Sequence, residues 1–224
     1  MTFGAWNARL MMMEYVEAKD LVAMLRGAVE SVRRNLDLLT KLDSAIGDGD
    51  HGLAMGRAMD ALEKAVTENS TKPMQDLLTQ VGWDIMGIDG GSTGPLLGSF
   101  FMGMGDGIGA AERLDRDSLC AAFAAARTSL AQNTKATVGD KTLMDALLPA
   151  LEAMNAAPPQ AGILGCLKAG ADAAATGAQA TETMVARFGR ARNLGERTLG
   201  HLDPGATSFS LIMAGFHHGL SQNE

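Results

Sequence analysis

The 224-residue chain is 46% hydrophobic, enough to bury the core of one domain, while an aromatic content of 4% and only six prolines favour helices packed through small residues over a β-rich fold. Its 26 acidic residues against 19 basic ones leave a net charge of −7, which argues against general nucleic-acid binding, and no Lys/Arg run opposes that reading. The apolar cluster at Leu10, Met11, Met12 and Met13 is too short to span a membrane and lacks the long apolar stretch and cleavage site of a signal peptide. We therefore expect an amino-terminal extension over residues 1–16, a single domain over residues 17–224, no membrane association, and a cytoplasmic protein.

Apolar residues then recur at helical spacing almost everywhere. Leu21, Leu25, Ala28, Val32, Leu36 and Leu39 line one face of a first helix, which leads into the sequence LDSAIGDGDHG (residues 42–52). A second helix is expected over about 51–66 and a third over about 74–88, ending at Gly90 and Gly91 in the segment GGSTGP. A fourth, glycine-interrupted helix covers about 92–104, and Leu119, Phe123, Ala126 and Leu130 mark a fifth, followed by NTKATVGDK (133–141). Leu143, Leu147, Ala150 and Met154 mark a sixth, which Pro149 should kink. The seventh is long and rich in Ala and Gly, about 161–188; after GRARNLGERTLGHLDPGA (189–206) the eighth carries Phe209, Ile212, Met213, Phe216 and Leu220. Cys120 and Cys166 fall in Ala-rich helical sequence and read as small buried thiols in a reducing compartment.

No window shows convincing strand alternation. Eight helices with short connections predict an all-α, single-domain antiparallel bundle or barrel. In such an arrangement alternate connections lie at the same end, and the connections after helices one, three, five and seven are the four polar, glycine-rich segments. Parity alone therefore gathers them on one rim.

The acidic segment carries the clearest chemistry. Asp43, Asp48 and Asp50 would repel one another unless something positive sat between them, so Asp-x4-Asp-x-Asp reads as an oxygen-ligand cation site suited to Mg²⁺, Mn²⁺ or Ca²⁺. Two familiar alternatives fail. Gly47, Gly49 and Gly52 match a dinucleotide fingerprint literally, but carboxylates occupy its variable positions and no β-branched run precedes it. An EF-hand starting at Asp48 would need a carboxylate where Met59 stands. A plainer alternative remains, in which these aspartates cap the next helix. In GGSTGP, the glycines let backbone amides approach an anion, Ser92 and Thr93 add hydroxyl donors, and Pro95 suits the first turn of a helix pointing its positive end at phosphates. No lysine follows these glycines, so positive charge must come from metal ions or from Lys135, Lys141, Arg190, Arg192 or Arg197.

LDSAIGDGDHG, GGSTGPLLG, VGDKTLMDAL and GERTLGHLDPGA, in this order and separation, resemble the nucleotide-binding L subunit of dihydroxyacetone kinase, over nearly the whole chain from about residue 17. The resemblance implies a barrel of eight antiparallel helices with a nucleotide site at one rim, binding ADP or ATP through two Mg²⁺ ions. Asp43, Asp48 and Asp50 would be the metal ligands and the catalytic residues. His51, Gly52, Leu53, Ala54, Ser92, Thr93, Thr134, Leu143, Arg190, Asp203, Pro204 and Gly205 would surround the nucleotide. Ala54, Thr134 and Leu143 depart from the residues common there, Thr134 and Leu143 bordering the base or ribose. The implied reaction is phosphoryl transfer to dihydroxyacetone held by a separate K subunit, with ATP as donor or with ADP as a coenzyme recharged by a phosphocarrier M subunit. A homodimer, a tetrulose as acceptor, and a role as a nucleotide-dependent adaptor for a regulator are also compatible with the resemblance.

Overall fold

A computed structural model describes residues 13–89 and 91–223, which form nine α-helices: α1 (Ala18–Arg33), α2 (Leu36–Ile46), α3 (His51–Asn69), α4 (Met74–Met86), α5 (Thr93–Ile108), α6 (Arg116–Leu130), α7 (Met144–Ala156), α8 (Gly162–Ala180) and α9 (Pro204–Ser221). The fold is all-α; among the described residues the β pairing is a single antiparallel bridge between Val16 and Leu114. The extension expected over 1–16 lies outside the described residues up to position 12, and its last residue, Val16, is fully buried.

Local chemistry marks the helix starts. Glu17 and Asp20 form a reciprocal capping box on α1, Asp115 accepts from the Ser118 amide at 2.8 Å on α6, and Asp203 accepts from the Ala206 amide at 2.7 Å on α9, with Pro204 at the first helical position. Two predicted elements end elsewhere than expected. The first helix is broken at Arg34 and Asn35, where the Asn35 amide side chain bonds the Ser31 carbonyl at 2.8 Å and the Asn35 backbone leaves helical geometry at φ −121°. The seventh stops at Ala180, not at 188, because Thr181 and Thr183 turn their hydroxyls back onto the Ala178 and Ala180 carbonyls and the chain tightens into a 3₁₀ turn. α7 runs without interruption through Pro149.

With α1 and α2 taken as one pass, the helices make eight passes. α1 packs on α3, each later helix packs on the next in the chain, and α9 returns to α1, which closes the ring. Its interior is filled by Phe100, Phe101, Phe123, Phe209 and Phe216, edge to face with ring centroids 5.3 to 6.4 Å apart. Closure between α9 and α1 depends on glycine. A Cβ on Gly27 would fall 2.2 Å from the Gly215 carbonyl oxygen, and one on Gly215 would fall 2.5 Å from Ala28 Cα.

Candidate functional site

The parity of the passes brings the connections after α2, α4, α6 and α8 to one end of the ring. There they line a cavity of about 450 Å³ together with the starts of α3, α5, α7 and α9. Among the expected site residues, Asp43, Asp48, Asp50, His51, Ser92, Thr93, Thr134, Leu143, Arg190, Asp203, Pro204 and Gly205 all line this cavity. Gly52, Leu53 and Ala54 are not among its lining residues. Gly52 lets α2 and α3 touch, since a Cβ there would meet Thr40 Oγ1 at 2.0 Å. Leu53 is 58% exposed on the outer face of α3, and Ala54 is buried within the ring.

Asp43 sits in the last turn of α2, Asp48 in the four-residue connection, and Asp50 at the amino-terminal cap of α3. Carboxylate oxygens of the three lie within 4.8 Å of one another. Glycine makes this crowding feasible: a Cβ on Gly47 would fall 2.1 Å from Asp43 Oδ1, and Gly49 takes φ +78° to swing the chain between the acids. The capping alternative is met only by Asp43, whose Oδ2 accepts from the His51 amide at 3.1 Å, while Asp50 at the cap position makes no side-chain cap bond. Three convergent hard oxygen donors, with Asp48 and Asp50 exposed to the cavity, fit a divalent cation of the Mg²⁺ class. The Arg190 guanidinium, from the connection between α8 and α9, pairs with the Asp48 carboxylate.

Also lining the cavity, Ser92 caps α5 and Thr93 begins it, and Ser92 makes no cap bond with its own side chain. Gly91 stands beside them at φ +58°, and Gly90 lies outside the described residues. The positive end of α5 therefore borders the same cavity as the aspartate cluster, and a helix amino terminus there attracts anions. The inner wall is apolar, formed by Leu97, Phe100, Leu143, Phe209 and Ile212. The site is thus apolar in depth and polar at its mouth.

Contacts between segments distant in sequence help hold these parts in place. His51 pairs with Ser208 Oγ at 3.0 Å, and burial pushes its ring below the ordinary value against the pull of Asp43 and a Pro204 backbone hydrogen bond. Phe188 closes one side of the cavity from a stretch expected to be helical. Asp145 accepts from the Gly139 amide at 2.6 Å and the Thr142 amide at 2.7 Å, shaping the connection before α7; its signal was the capping pattern Thr142-x-x-Asp145. Of the five expected cations only Lys141 and Arg190 line the cavity, while Lys135, Arg192 and Arg197 are exposed outside it. Lys141 donates to backbone carbonyls rather than facing the aspartates.

Comparison with known proteins agrees with this arrangement. The DAK2 domain model matches residues 45–218. The chain is 38% identical over 184 residues to the ADP-binding subunit DhaL of PEP-dependent dihydroxyacetone kinase 2 from Listeria innocua, covering 81% of this chain and 85% of that one. It is 36% identical to the corresponding DhaL subunit of Escherichia coli, covering 79% of this chain and 85% of that one. The dihydroxyacetone kinase of C. freundii, solved in complex with AMP-PNP and Mg²⁺, superposes with a TM-score of 0.67 at 26% identity, over 88% of this chain and 33% of that one. With its helical ring, its rim of four glycine-rich connections and its aspartate cluster, the chain belongs to the DAK2 domain family, among the L-type subunits of dihydroxyacetone kinases.

Proposed function

We propose that this protein is the nucleotide-binding subunit of a dihydroxyacetone kinase and passes a phosphoryl group from a Mg²⁺-bound nucleotide to a ketose held on a separate K subunit. The observation that carries this reading is the convergence of Asp43, Asp48 and Asp50 within 4.8 Å on a largely apolar cavity that the amino terminus of α5 also lines. Binding of AMP-PNP and Mg²⁺ by the C. freundii enzyme supports it.

Asp43, Asp48 and Asp50 would hold two Mg²⁺ ions, which neutralise charge on the transferring phosphate when bound. Ser92 and Thr93, with the first amides of α5, would receive phosphate oxygens, and Arg190 would supply positive charge. The apolar wall around Leu143 would take the base, with Thr134 bordering the base or ribose. His51, held by Ser208, would orient the start of α3 against the phosphates. The names of the relatives, PEP-dependent kinases, favour ADP as a coenzyme that stays bound and is recharged by a phosphocarrier M subunit.

The test combines the purified protein with a K-type subunit, dihydroxyacetone and Mg²⁺, and supplies either ATP or a phosphorylated phosphocarrier. Dihydroxyacetone phosphate is the expected product with at least one donor, and Asp48→Asn should lower its rate by at least about 100-fold. The variant's melting temperature without Mg²⁺ should change little, because relief of repulsion among three carboxylates offsets loss of the exposed Arg190 pair. Absence of product with both donors, together with no binding of MgADP, would overturn the reading. A tetrulose acceptor is favoured by one further relative, the L-erythrulose 1-kinase of Mycolicibacterium smegmatis, 33% identical over 92% of this chain and 36% of that one. Erythrulose offered in place of dihydroxyacetone separates the two.

A further inference from the structure

Lys141 combines two costly features. It is 1% exposed, and it is the non-glycine residue among the described residues that takes a positive φ, 60°. An ammonium is expensive to bury unless its protons find acceptors, and a side chain with a Cβ resists left-handed backbone. Where both fall on one residue, the surroundings must compel it.

Its surroundings explain the burial. Lys141 Nζ donates to the Thr181 carbonyl at 2.5 Å and to the His201 carbonyl. Thr181 is the first residue beyond α8, and its hydroxyl accepts from the Asp203 amide at 2.8 Å. His201 stands two residues before Asp203, the cap of α9. Two connections of the rim therefore meet at one ammonium: the segment before α7, and the connection between α8 and α9, which is gripped at both its ends. Asp203 and Asp145 attract the same charge from two of these elements. A lysine beside a glycine-rich turn commonly serves as a point charge on phosphate. Here the ammonium is committed to carbonyls of its own chain.

We propose that Lys141 is a positioning residue of the nucleotide site, whose ammonium clamps the Thr181 and His201 carbonyls and so fixes Asp203, Pro204 and Gly205 against the bound nucleotide without touching its phosphates. This rests on the proposal that the cavity takes a magnesium nucleotide, and goes beyond it by assigning the residue that shapes the last connection.

Titration calorimetry with MgADP tests it on the full chain. Lys141→Met keeps the volume and drops the ammonium, whereas Lys141→Gly relieves the positive φ. Both should weaken MgADP binding by about tenfold or more, the scale of a lost charged hydrogen bond, while still binding close to one nucleotide per folded chain. Hydrogen exchange across residues 199–205 should quicken in both. A merely structural lysine would instead lower the melting temperature and the fraction of competent sites, leaving the dissociation constant of the remaining sites unchanged. Affinity in Lys141→Met within twofold of the unsubstituted protein would overturn the proposal alone; no MgADP binding by the unsubstituted protein would overturn the nucleotide reading and this proposal with it. If Lys141→Met does not fold, Lys141→Leu, which likewise lacks an N–H donor, is read by the same criteria.

Discussion

Asp203 is pulled in opposite directions by its two surroundings. Burial raises its carboxyl to about 7 from an ordinary 3.8, while the hydrogen bond from the Ala206 amide and the charge of Lys141 favour the ionised form. Between those two values the folded protein retains a proton that the unfolded chain has released. The stability contributed by Asp203 is therefore complete below about pH 4 and is lost as pH rises through about 7, by at most ~1.4 kcal/mol per pH unit. Asp203→Asn keeps a good helix cap but cannot titrate. Urea denaturation of both proteins at a series of pH values should show the native curve falling relative to the variant across this window; two parallel curves would mean that Asp203 carries no displaced proton. The same residue illustrates what the sequence conveys about single positions. Asp203 was singled out only through the resemblance of its Asp-Pro-Gly segment to the kinase family, and nothing local announced that Lys141 and Asp145, about sixty residues earlier, share its neighbourhood. The aspartates of the first connection were legible because their spacing, glycine content and mutual repulsion are all local.

Among the helices, apolar periodicity located every pass, and it misjudged only boundaries. Leu36 and Leu39 continue the stripe begun at Leu21, so the pattern runs straight across the break at Arg34 and Asn35, where neither glycine nor proline marks a stop. The end of α8 was hidden for another reason: the Thr181 carbonyl is taken by a lysine from a distant connection, a contact absent from any sequence window. The glycine content, by contrast, was read correctly as close helix contact. Its energetic consequence depends on the facing atoms and changes sign between positions. Gly215→Ala adds a methyl 2.5 Å from Ala28 Cα and the Gly27 carbonyl, so overpacking should outweigh the helix propensity gained and destabilise by ~1–3 kcal/mol. Gly56→Ala places its methyl 3.5 Å from Leu36 Cδ1, an ordinary contact, and should stabilise by up to ~1 kcal/mol. Urea midpoints of the two variants moving in opposite directions would bear this out; a loss of stability in both would show that α3 also lacks room for a methyl.

At the scale of the molecule, the site is a consequence of parity and closure. An even number of passes brings α9 back to α1, and the odd connections then converge without any one of them reaching far. That placement could be deduced from helix count alone, whereas the filling of the ring by five phenylalanines and the interlocking of the connections required three-dimensional contacts. A ligand in the cavity touches the ends of separate passes, so it should couple elements that are otherwise joined only through the ring walls. A bound nucleotide stabilises the folded state by mass action, ~2.7 kcal/mol at a concentration one hundred times its dissociation constant. Where that stabilisation falls is set by which openings the ligand forbids. Hydrogen exchange with and without MgADP should therefore slow most over residues 43–51, 92–95, 134–143 and 189–205. The connections at the far end, 109–115 and 157–161, should keep their rates wherever they exchange by local opening. Protection confined to the acidic connection would mean that the metal alone is held there, and equal protection at both ends would mean that the nucleotide acts only through global unfolding. A graded pattern strongest at the four rim connections is the outcome that the ring geometry requires.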